Sequence, residues 1–310
     1  MSVLVYDIGA SNTKYAVMNE DGEILSRGKQ PTLYSTKDYF YDALYEIYKK
    51  NSDGVSGLAF SSCGRMEPDG VTYMGYIQKS LVGTNLKAEM ESRTGLKVTC
   101  ENDGYAAALG EWWKGAAQGT KNMMGVVLGS GIGGGIVIDG KVYRGSRGNT
   151  ARNFLMTGAV DFAKGEYGNM FAACFVALYY LIAMEKQIPL EEISGPKIFE
   201  WAAEGDPVVL KYLELYYHSI ALTIENSNAL FDFDCVVLTG GLAEQQAVYD
   251  GVVRSYAEII EKMCRIPGLD ENLVSSMALF DPADLKCDIR KGTLTQDANL
   301  YGALYTYLNS

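Results

Sequence analysis

Residues 129–135 read GSGIGGG, with five glycines in seven positions, directly after the apolar run MMGVVL. Because glycine costs conformational entropy in a strand or helix, this density predicts a backbone that bends sharply or lies against another group. Backbone N–H groups in such a turn can bind an anion, and the hydroxyl of Ser130 would add a donor. A flexible turn without a ligand is the alternative interpretation.

Two well-known phosphate-binding motifs do not fit this loop. No lysine follows the glycines, as a Walker-type nucleotide site would require. The letters GSGIGG satisfy G-x-G-x-x-G, but the residues that follow, GIVIDGKV, predict a strand where a dinucleotide-binding motif needs a helix. The loop is therefore predicted to be a hairpin turn.

Small residues form two more turns after apolar strands. The segment DIGASNTK at 7–14 supplies a carboxylate at the end of a strand, then a small turn, Ser11, Thr13 and Lys14. The segment LTGG at 238–241 also follows an apolar strand and precedes a helical stretch. Together the three turns are a more specific pattern than any one of them alone.

The elements around these turns alternate between strands and helices. Strands or hairpins are predicted for SVLVYDIG, YAVMNEDGEILSRGKQP, GVSGLAFSSCG and KVTCENDG, with helices for TKDYFYDALYEIYKKN and LKAEMESRTG. The segments LVYDIGASNTKYAVMNEDGEIL and GVVLGSGIGGGIVIDGKVYRG share one pattern of strand, small turn, strand and Asp-Gly turn. The repetition predicts an α/β chain of two related halves, with a cleft between them and a boundary near residue 115.

Composition excludes several classes of function. The chain has 310 residues, of which 48% are hydrophobic and 21% charged, so it is globular and long enough for two domains. A formal net charge of −11 without a basic stripe argues against nucleic acid or an anionic membrane as partner. The amino-terminal MSVLVYDIG is interpreted as a first strand and not as a signal peptide.

Cysteine and histidine usage points to a reducing compartment. The six cysteines include no C-x-x-C pair, and His218 is the single histidine, which predicts reduced thiols in a cytosolic protein and no structural zinc. His218 and the many tyrosines are interpreted as structural.

One apolar segment is too short to span a membrane. The run MFAACFVALYYLIAM at 170–184 lacks charge for fifteen residues, short of the ~20 that a bilayer requires. It predicts a buried helix, in a domain core or at a subunit contact.

The motifs together resemble the ROK family, the sugar kinases and sugar-responsive repressors of the actin-like ATPase superfamily. The family pattern is D-I-G-G-T-x-x-K, then N-D, then G-T-G-I-G-G-G, then a G-G turn, then a terminal A-x-x-G-A. Its counterparts here are DIGASNTK at 7–14, ENDGYAAALGE at 101–111, GSGIGGGIVIDGKVYRG at 129–145, LTGG at 238–241 and DANLYGA at 297–303. These blocks follow the family's order over almost the whole chain.

This resemblance implies a fold and its ligands. Two actin-like, ribonuclease H-like α/β domains are expected, at 1–115 and 116–295, with a carboxy-terminal helix at 296–310 packing back on the first. ATP and Mg²⁺ would bind in the cleft between them beside a sugar-like substrate. The family habit of dimerising favours a homodimer, and a cytoplasmic location is expected.

Roles follow by matching residues to the family motifs. Asp103 would be the general base that takes a proton from a substrate hydroxyl, although an aspartate here could also cap the following helix. Asn102 would hydrogen-bond a substrate hydroxyl, and Asp7 would orient Mg²⁺ through water. Lys14 would approach a phosphate, with an exposed strand lysine as the alternative. The residues assigned to the nucleotide are Asp7, Gly9, Ala10, Ser11, Lys14, Gly129, Ser130, Gly131, Gly133, Gly240 and Gly241.

The substrate half departs from the family pattern. Where the family has A-G-E-x-G-H, this chain has NTARNFLM, which puts Arg152 at the glutamate and Leu155 at the histidine. A carboxylate accepts hydrogen bonds from two sugar hydroxyls, whereas a guanidinium only donates and would favour a carboxylate or phosphate on the ligand. Glu166 is a substitute carboxylate, and Gly64 is also assigned to the substrate pocket. The family's cysteine-rich zinc segment is absent, so no zinc is expected.

Three hypotheses follow from these residues. An ATP-dependent kinase of a sugar or sugar-like alcohol is favoured, because Asp7, Lys14, Asp103 and the phosphate turns are retained. A noncatalytic relative that binds nucleotide or metabolite and signals by domain closure is the alternative, because Arg152 changes the sugar site. A repressor is disfavoured, because the first strand begins at residue 2 without a preceding helix-turn-helix.

Overall fold

The computed structural model describes residues 1–63, 65–67, 70–72, 79–129, 131–146, 148, 150, 157–161, 166–169, 174–263 and 285–310. The strands are β1 (Ser2–Ile8), β2 (Asn12–Asn19), β3 (Ile24–Pro31), β4 (Val55–Ser62), β5 (Arg65–Glu67), β6 (Gly70–Thr72), β7 (Lys97–Asn102), β8 (Asn122–Leu128), β9 (Ile132–Ile138), β10 (Lys141–Val142), β11 (Thr157–Asp161), β12 (Glu166–Asn169), β13 (Cys235–Thr239) and β14 (Ile289–Lys291). The α-helices are α1 (Lys37–Asn51), α2 (Leu86–Thr94), α3 (Asp103–Trp113), α4 (Phe175–Lys186), α5 (Gly195–Ala203), α6 (Pro207–Phe231), α7 (Gln246–Met263) and α8 (Ala298–Leu308).

Two five-stranded sheets of matching topology organise these elements. The first has the order β3-β2-β1-β4-β7 and the second β10-β9-β8-β13-β14. In each sheet an antiparallel meander of three strands continues into parallel strands, β1 with β4 and β7, and β8 with β13 and β14. The predicted α/β class is confirmed, and the two similar sequence segments form the corresponding hairpins of the two sheets.

The Asp-Gly turn predicted after β9 requires residues that tolerate positive φ angles. Asp139 and Gly140 have φ values of 47° and 74°. Two successive positive φ angles define the tight hairpin turn that matches the twist of antiparallel strands. Glycine adopts this conformation without strain, so the sequence fixes where β10 begins.

The helices form layers around the two sheets. Residues of α1 and α2 pack on one face of the first sheet, where Tyr6 and Phe60 stack with ring centroids 4.4 Å apart. The other face of that sheet, including Val3 and Val5, packs against α8. The second sheet packs α4 to α7 on one face and α3 on the other.

Helices α3 and α8 cross at close range in the middle of the molecule. A Cβ on Gly302 would lie 1.7 Å from the carbonyl oxygen of Ala106, and a Cβ on Gly110 would lie 2.1 Å from that of Ala298. Only glycine permits this approach, because any side chain would overlap the opposite backbone. Contact between α3 and α8 therefore joins the layers on the two sheets. The division at residues 115 and 295 stays a prediction.

Helix α4 corrects part of the expectation for the apolar run at 170–184. Within the described residues the helix spans Phe175–Lys186, and Phe175, Leu178 and Ile182 are buried. Val176, Tyr180 and Met184 are exposed, so the helix is buried along one side and not all round. None of the helices in the described ranges combines the length and apolar character that a membrane span requires.

Candidate active site

The parallel strands of each sheet end at a common edge, where the predicted site residues lie. In the first sheet Asp7 on β1 is opposite Ser61 on β4, which is opposite Glu101 on β7. In the second sheet β8 and β13 run into the two glycine turns. The carboxyl ends of parallel strands are where α/β proteins commonly bind ligands.

Asp7 is a buried carboxylate held by two partners. Its Oδ1 accepts a hydrogen bond of 3.0 Å from Asn299 Nδ2, and its Oδ2 lies 3.7 Å from the ammonium of Lys14. Burial raises the pKa of Asp7 to about 6, opposed by Lys14 and reinforced by the charge of Asp103. Asp103 begins the helix that follows β7, at the same edge of the sheet as Asp7.

The raised pKa of Asp7 gives a prediction about stability. The folded protein disfavours the ionised form of Asp7. The contribution of this residue to the free energy of unfolding is therefore fully present below about pH 4 and is lost as the pH rises through about 6. The difference from the ordinary aspartate pKa of 3.8 corresponds to a free energy of roughly 3 kcal/mol. We expect Asp7→Asn to raise the free energy of unfolding at pH 8 by up to that amount, and to lose the advantage below pH 4.

Urea unfolding at the two pH values, with the exposed Glu20→Gln as control, measures this effect. A less stable Asp7→Asn protein at pH 8 would contradict the assigned cause, because the neutral amide removes the buried charge.

Lys14 lies at the site and not on an open strand surface. Besides its ion pair with Asp7, its ammonium donates a hydrogen bond of 3.1 Å to the carbonyl of Gln296. Its side chain retains 28% exposure, so the charge remains accessible from solvent. The ammonium therefore joins the end of β1 to the segment that precedes α8.

The first turn, Gly9 to Ser11, is fixed by hydrogen bonds to Gly9. The N–H of Gly9 donates to the carbonyl of Asn12, and its carbonyl accepts from the hydroxyls of Thr32 and Tyr34 at 2.9 and 3.0 Å. Ala10 and Ser11 are exposed at the tip. In this structure Gly9 therefore shapes the turn, while its neighbours face outward.

Helix α3 begins at the candidate base, and its capping residue is not Asp103, the cap that the sequence suggested as an alternative role. Asn102 is the capping residue, since its Oδ1 accepts from the N–H groups of Gly104 and Tyr105 at 3.0 and 3.3 Å. Asp103 is the first residue inside the helix and is not the cap. A carboxylate there benefits from the positive end of the helix dipole.

Asp103 is half-buried, and its carboxylate accepts a 2.9 Å hydrogen bond from the N–H of Gly104. Burial raises its pKa above the ordinary range for aspartate, opposed by that backbone hydrogen bond and by the side chain of Asn102. A raised pKa brings a carboxylate closer to the value that suits a general base near neutral pH.

The start of α3 also touches the second sheet. A Cβ on Gly104 would lie 2.6 Å from the carbonyl oxygen of Gly134 on β9. Glycine at position 104 lets the two backbones meet. The first turn of α3, which carries Asp103, is thereby packed directly below the glycine hairpin.

The second turn joins β8 to β9 as a hairpin, as predicted. The N–H of Gly129 donates to the carbonyl of Gly131 at 3.0 Å, and Gly133 lies in β9 opposite Val127. Gly131 is exposed, and a Cβ built on it meets no atom within 4 Å. The tip of this hairpin therefore has room for a ligand beside its backbone.

The third turn packs against the base of the second. Gly240 has a φ of +93°, and a Cβ there would lie 2.6 Å from the carbonyl oxygen of Leu128. That carbonyl accepts a 3.0 Å hydrogen bond from the N–H of Leu242. Gly241 is exposed with open space around its Cα. The two glycine turns therefore form one continuous surface.

Four assigned residues lie wholly or partly outside the described structure. Gly64, Ser130 and Arg152 lie outside the described residues, and Glu166 is the first residue of β12, without a described side chain. Their roles stay predictions.

Sequence reasoning missed two residues that anchor the site. Asn299 Nδ2 bonds both Asp7 and Ser61 Oγ, the latter at 3.2 Å, and it lies in the terminal motif DANLYGA. Glu111 is fully buried and accepts from Thr239 Oγ1 at 3.0 Å and from the N–H groups of Thr293 and Leu294. An acidic residue within the apolar run AAALGEWW was the available signal for Glu111.

The donor set at this edge suits a hard cation and a phosphate chain. Asp7 offers a carboxylate, and Lys14 offers a positive charge beside exposed small-residue turns. Within the described ranges, no cluster of three or more histidine, cysteine, aspartate or glutamate residues could hold a metal by itself.

Comparisons with known proteins point to one family. A model of the ROK family matches residues 3–305. The beta-glucoside kinase of Listeria innocua serovar 6a is 30% identical, covering 99% of this chain and 98% of that protein. The N-acetyl-D-glucosamine kinase of Vibrio parahaemolyticus serotype O3:K6 is 24% identical, covering 84% of this chain and 91% of that protein.

Solved structures share the fold over the full length. The ROK hexokinase from Thermus thermophilus has a TM-score of 0.80 at 24% identity, covering 100% of this chain and 99% of that one. Because the family model spans nearly the whole sequence, the resemblance seen in the motifs is confirmed, and the chain belongs to the ROK family.

Proposed function

We propose that this protein transfers the γ-phosphoryl group of ATP to a hydroxyl of a sugar or sugar-like compound. Curated relatives that are sugar kinases support an ATP-dependent carbohydrate kinase. The observation that carries the proposal is the placement of Asp7 near the end of β1 and of Asp103 directly after β7, at the same edge of the first sheet and beside the glycine turns.

Asp103 is the proposed general base. Its carboxylate would accept the proton of the attacking hydroxyl, and its raised pKa makes it a better acceptor than an exposed aspartate. Asn102 would orient that hydroxyl from the cap position of α3. Because the first turn of α3 packs on β9 at Gly134, the position of Asp103 relative to the hairpin that would bind the phosphates is constrained.

The opposite side of the site would hold the nucleotide. Bound ATP supplies the transferred group, and Mg²⁺ neutralises charge on its phosphates. Asp7 would hold the ion through water, and Lys14 would approach a phosphate oxygen. The exposed turn residues Ala10, Ser11 and Gly131 would lie along the phosphate chain, with Gly240 and Gly241 towards adenosine. Closure of the two proposed domains over the ligands would exclude water.

The acceptor is a sugar-like molecule whose class depends on Arg152. A guanidinium at the position of the family glutamate favours an acceptor with an acidic group, while the similarity to a beta-glucoside kinase favours a neutral β-glucoside.

A coupled assay of ADP release, run over hexoses, N-acetylhexosamines, β-glucosides and acidic sugars, tests the function. We expect release with at least one acceptor and little release without any. Silence on every acceptor, with ATP still bound in a calorimetric titration, would favour the noncatalytic sensor instead.

A homodimer is the proposed assembly. The exposed apolar side chains of Val176, Tyr180 and Met184 follow one another at helical spacing on α4 and would be covered by a second copy.

A further inference from the structure

An ion pair between a buried carboxylate and a partly exposed guanidinium, Glu101 and Arg144, lies next to the proposed base without being part of the proposed chemistry. Glu101 is the penultimate residue of β7, two positions before Asp103, and is fully buried. Its Oε1 accepts from Arg144 Nη1 at 2.8 Å, and its Oε2 accepts from Arg144 Nη2 at 2.6 Å. Such a two-pronged pair fixes the orientation of both groups as well as their distance.

The carboxylate of Glu101 also holds the backbone that leads to the base. Its Oε1 accepts a 3.0 Å hydrogen bond from the N–H of Asn102, and its Oε2 accepts one of 3.3 Å from Thr306 Oγ1 on α8. Both oxygens therefore have two donors each. The guanidinium and the N–H of Asn102 therefore share one acceptor, Glu101 Oε1, and Asn102 is the residue that caps α3.

Arg144 follows β10 of the second sheet and also contacts α3. It lies two residues after β10, and its guanidinium stands 5.4 Å from the ring centroid of Tyr105 in the first turn of α3. The hydroxyl of Tyr105 lies 3.1 Å from both the carbonyl and the hydroxyl of Thr150, and Thr150 Oγ1 donates to the carbonyl of Tyr143. Arg144 and Thr150 are thus linked to Glu101 and Tyr105, which lie on either side of Asp103, and Arg152 follows them in the chain.

We propose that the Glu101–Arg144 pair is a positioning link that sets the proposed base against the segment leading to the sugar-binding residues. This inference rests on the proposed function. Neither residue touches the reacting atoms, so both act through Asn102, Tyr105 and the 143–150 segment. Solvent reaches the Arg144 side chain, which is 38% exposed, so the pair contributes little net stability, but its two parallel hydrogen bonds fix a geometry that is well suited to alignment.

The test replaces the guanidinium without removing its charge. Arg144→Lys keeps a cation but loses the two parallel hydrogen bonds. We expect kcat to fall about 10- to 100-fold, because misplacement by about 1 Å can cost 10²-fold in rate. The KM for sugar should rise, while the affinity for ATP stays within about twofold. The matched control is Arg93→Lys, since Arg93 also binds two carboxylates, Glu89 and Asp42, on α2 and α1.

A double variant separates positioning from stability. Arg144→Met with Glu101→Gln removes the ion pair but keeps an amide oxygen that can accept from the N–H of Asn102, so the protein should unfold near the wild-type temperature while kcat stays low. Recovery of kcat in the double variant, or near-normal kcat in Arg144→Lys, would overturn the proposal.

Hydrogen exchange separates failure of the link from failure of the kinase assignment. In Arg144→Lys we expect faster amide exchange at residues 101–105 and 143–150, with no change in Arg93→Lys. Unchanged exchange at both stretches would overturn the link even in an active enzyme. If the wild-type protein phosphorylates no acceptor, the proposed function fails, and the exchange pattern still decides whether the two segments are linked.

Discussion

Replacement of Asp103 by asparagine is expected to lower kcat by roughly 10²- to 10⁴-fold, the usual contribution of a general base. The amide keeps the shape of the side chain and its place at the start of α3 but has no proton affinity to offer the substrate hydroxyl. ATP affinity should change by less than about twofold, because Asp103 is assigned to the acceptor and not to the phosphates.

The same substitution, which lowers kcat, is expected to leave the stability of the protein unchanged or to raise it. Burial raises the pKa of Asp103, so its charge costs free energy in the folded state above that pKa. We therefore expect Asp103→Asn to unfold at a temperature equal to or above that of the wild type at pH 8. Loss of activity together with retained stability is a signature that a merely disruptive substitution would not produce.

The pH dependence of kcat provides an independent check. In the wild type, kcat should decline as the pH falls through a value above the ordinary range of aspartate, because the protonated base accepts no proton. That limb should be absent from the residual rate of Asp103→Asn. The exposed Asp53→Asn is the matched control. Turnover within tenfold of wild type in Asp103→Asn would remove this residue from the role.

Substitution of Gly131 by valine is the second large expected effect, this time on nucleotide binding. Gly131 is at the exposed tip of the hairpin, its φ lies outside the left-handed region, and a Cβ there meets no protein atom. Valine is therefore compatible with the fold, but its side chain would occupy the space in which the phosphates are proposed to lie. We expect ATP affinity to fall by roughly 100-fold or more, about 3 kcal/mol.

Calorimetric titration with ATP, together with a thermal unfolding curve, measures both parts of this prediction. Gly241→Val should act in the same direction, because Gly241 is also exposed in open space. Ser26→Val, on the exposed side of β3, is the control for added bulk. Unchanged affinity in both glycine variants would place the nucleotide elsewhere.

The parts of the fold that follow from local sequence were predictable. Apolar runs that end in small residues marked β1, β8 and β13, and the Asp-Gly turn at Asp139 marked the start of β10. These features depend on periodicity and on backbone conformations that few residues adopt. For the same reason the edge of each sheet that carries the turns could be anticipated.

The contacts that tie the site together were not predictable in this way. Asn299 and Asp7 are 292 positions apart in the chain, and Thr239 and Glu111 are 128 apart. Their pairing depends on how α3 and α8 cross between the sheets, which requires glycine at positions 110 and 302. For a related reason the sequence could not decide between a domain core and a subunit contact for α4, since an all-apolar helix does not say which side packs within its own chain.

The central claim is that three turns, far apart in the chain, hold one triphosphate opposite Asp103. A crystal structure with Mg²⁺, a non-hydrolysable ATP analogue and the best acceptor from the ADP-release assay tests it most directly. We expect the phosphates between Ser11 and Gly131, adenosine beside Gly241, and an acceptor hydroxyl within hydrogen-bond distance of Asp103. An analogue bound away from these turns, or an acceptor remote from Asp103, would contradict it.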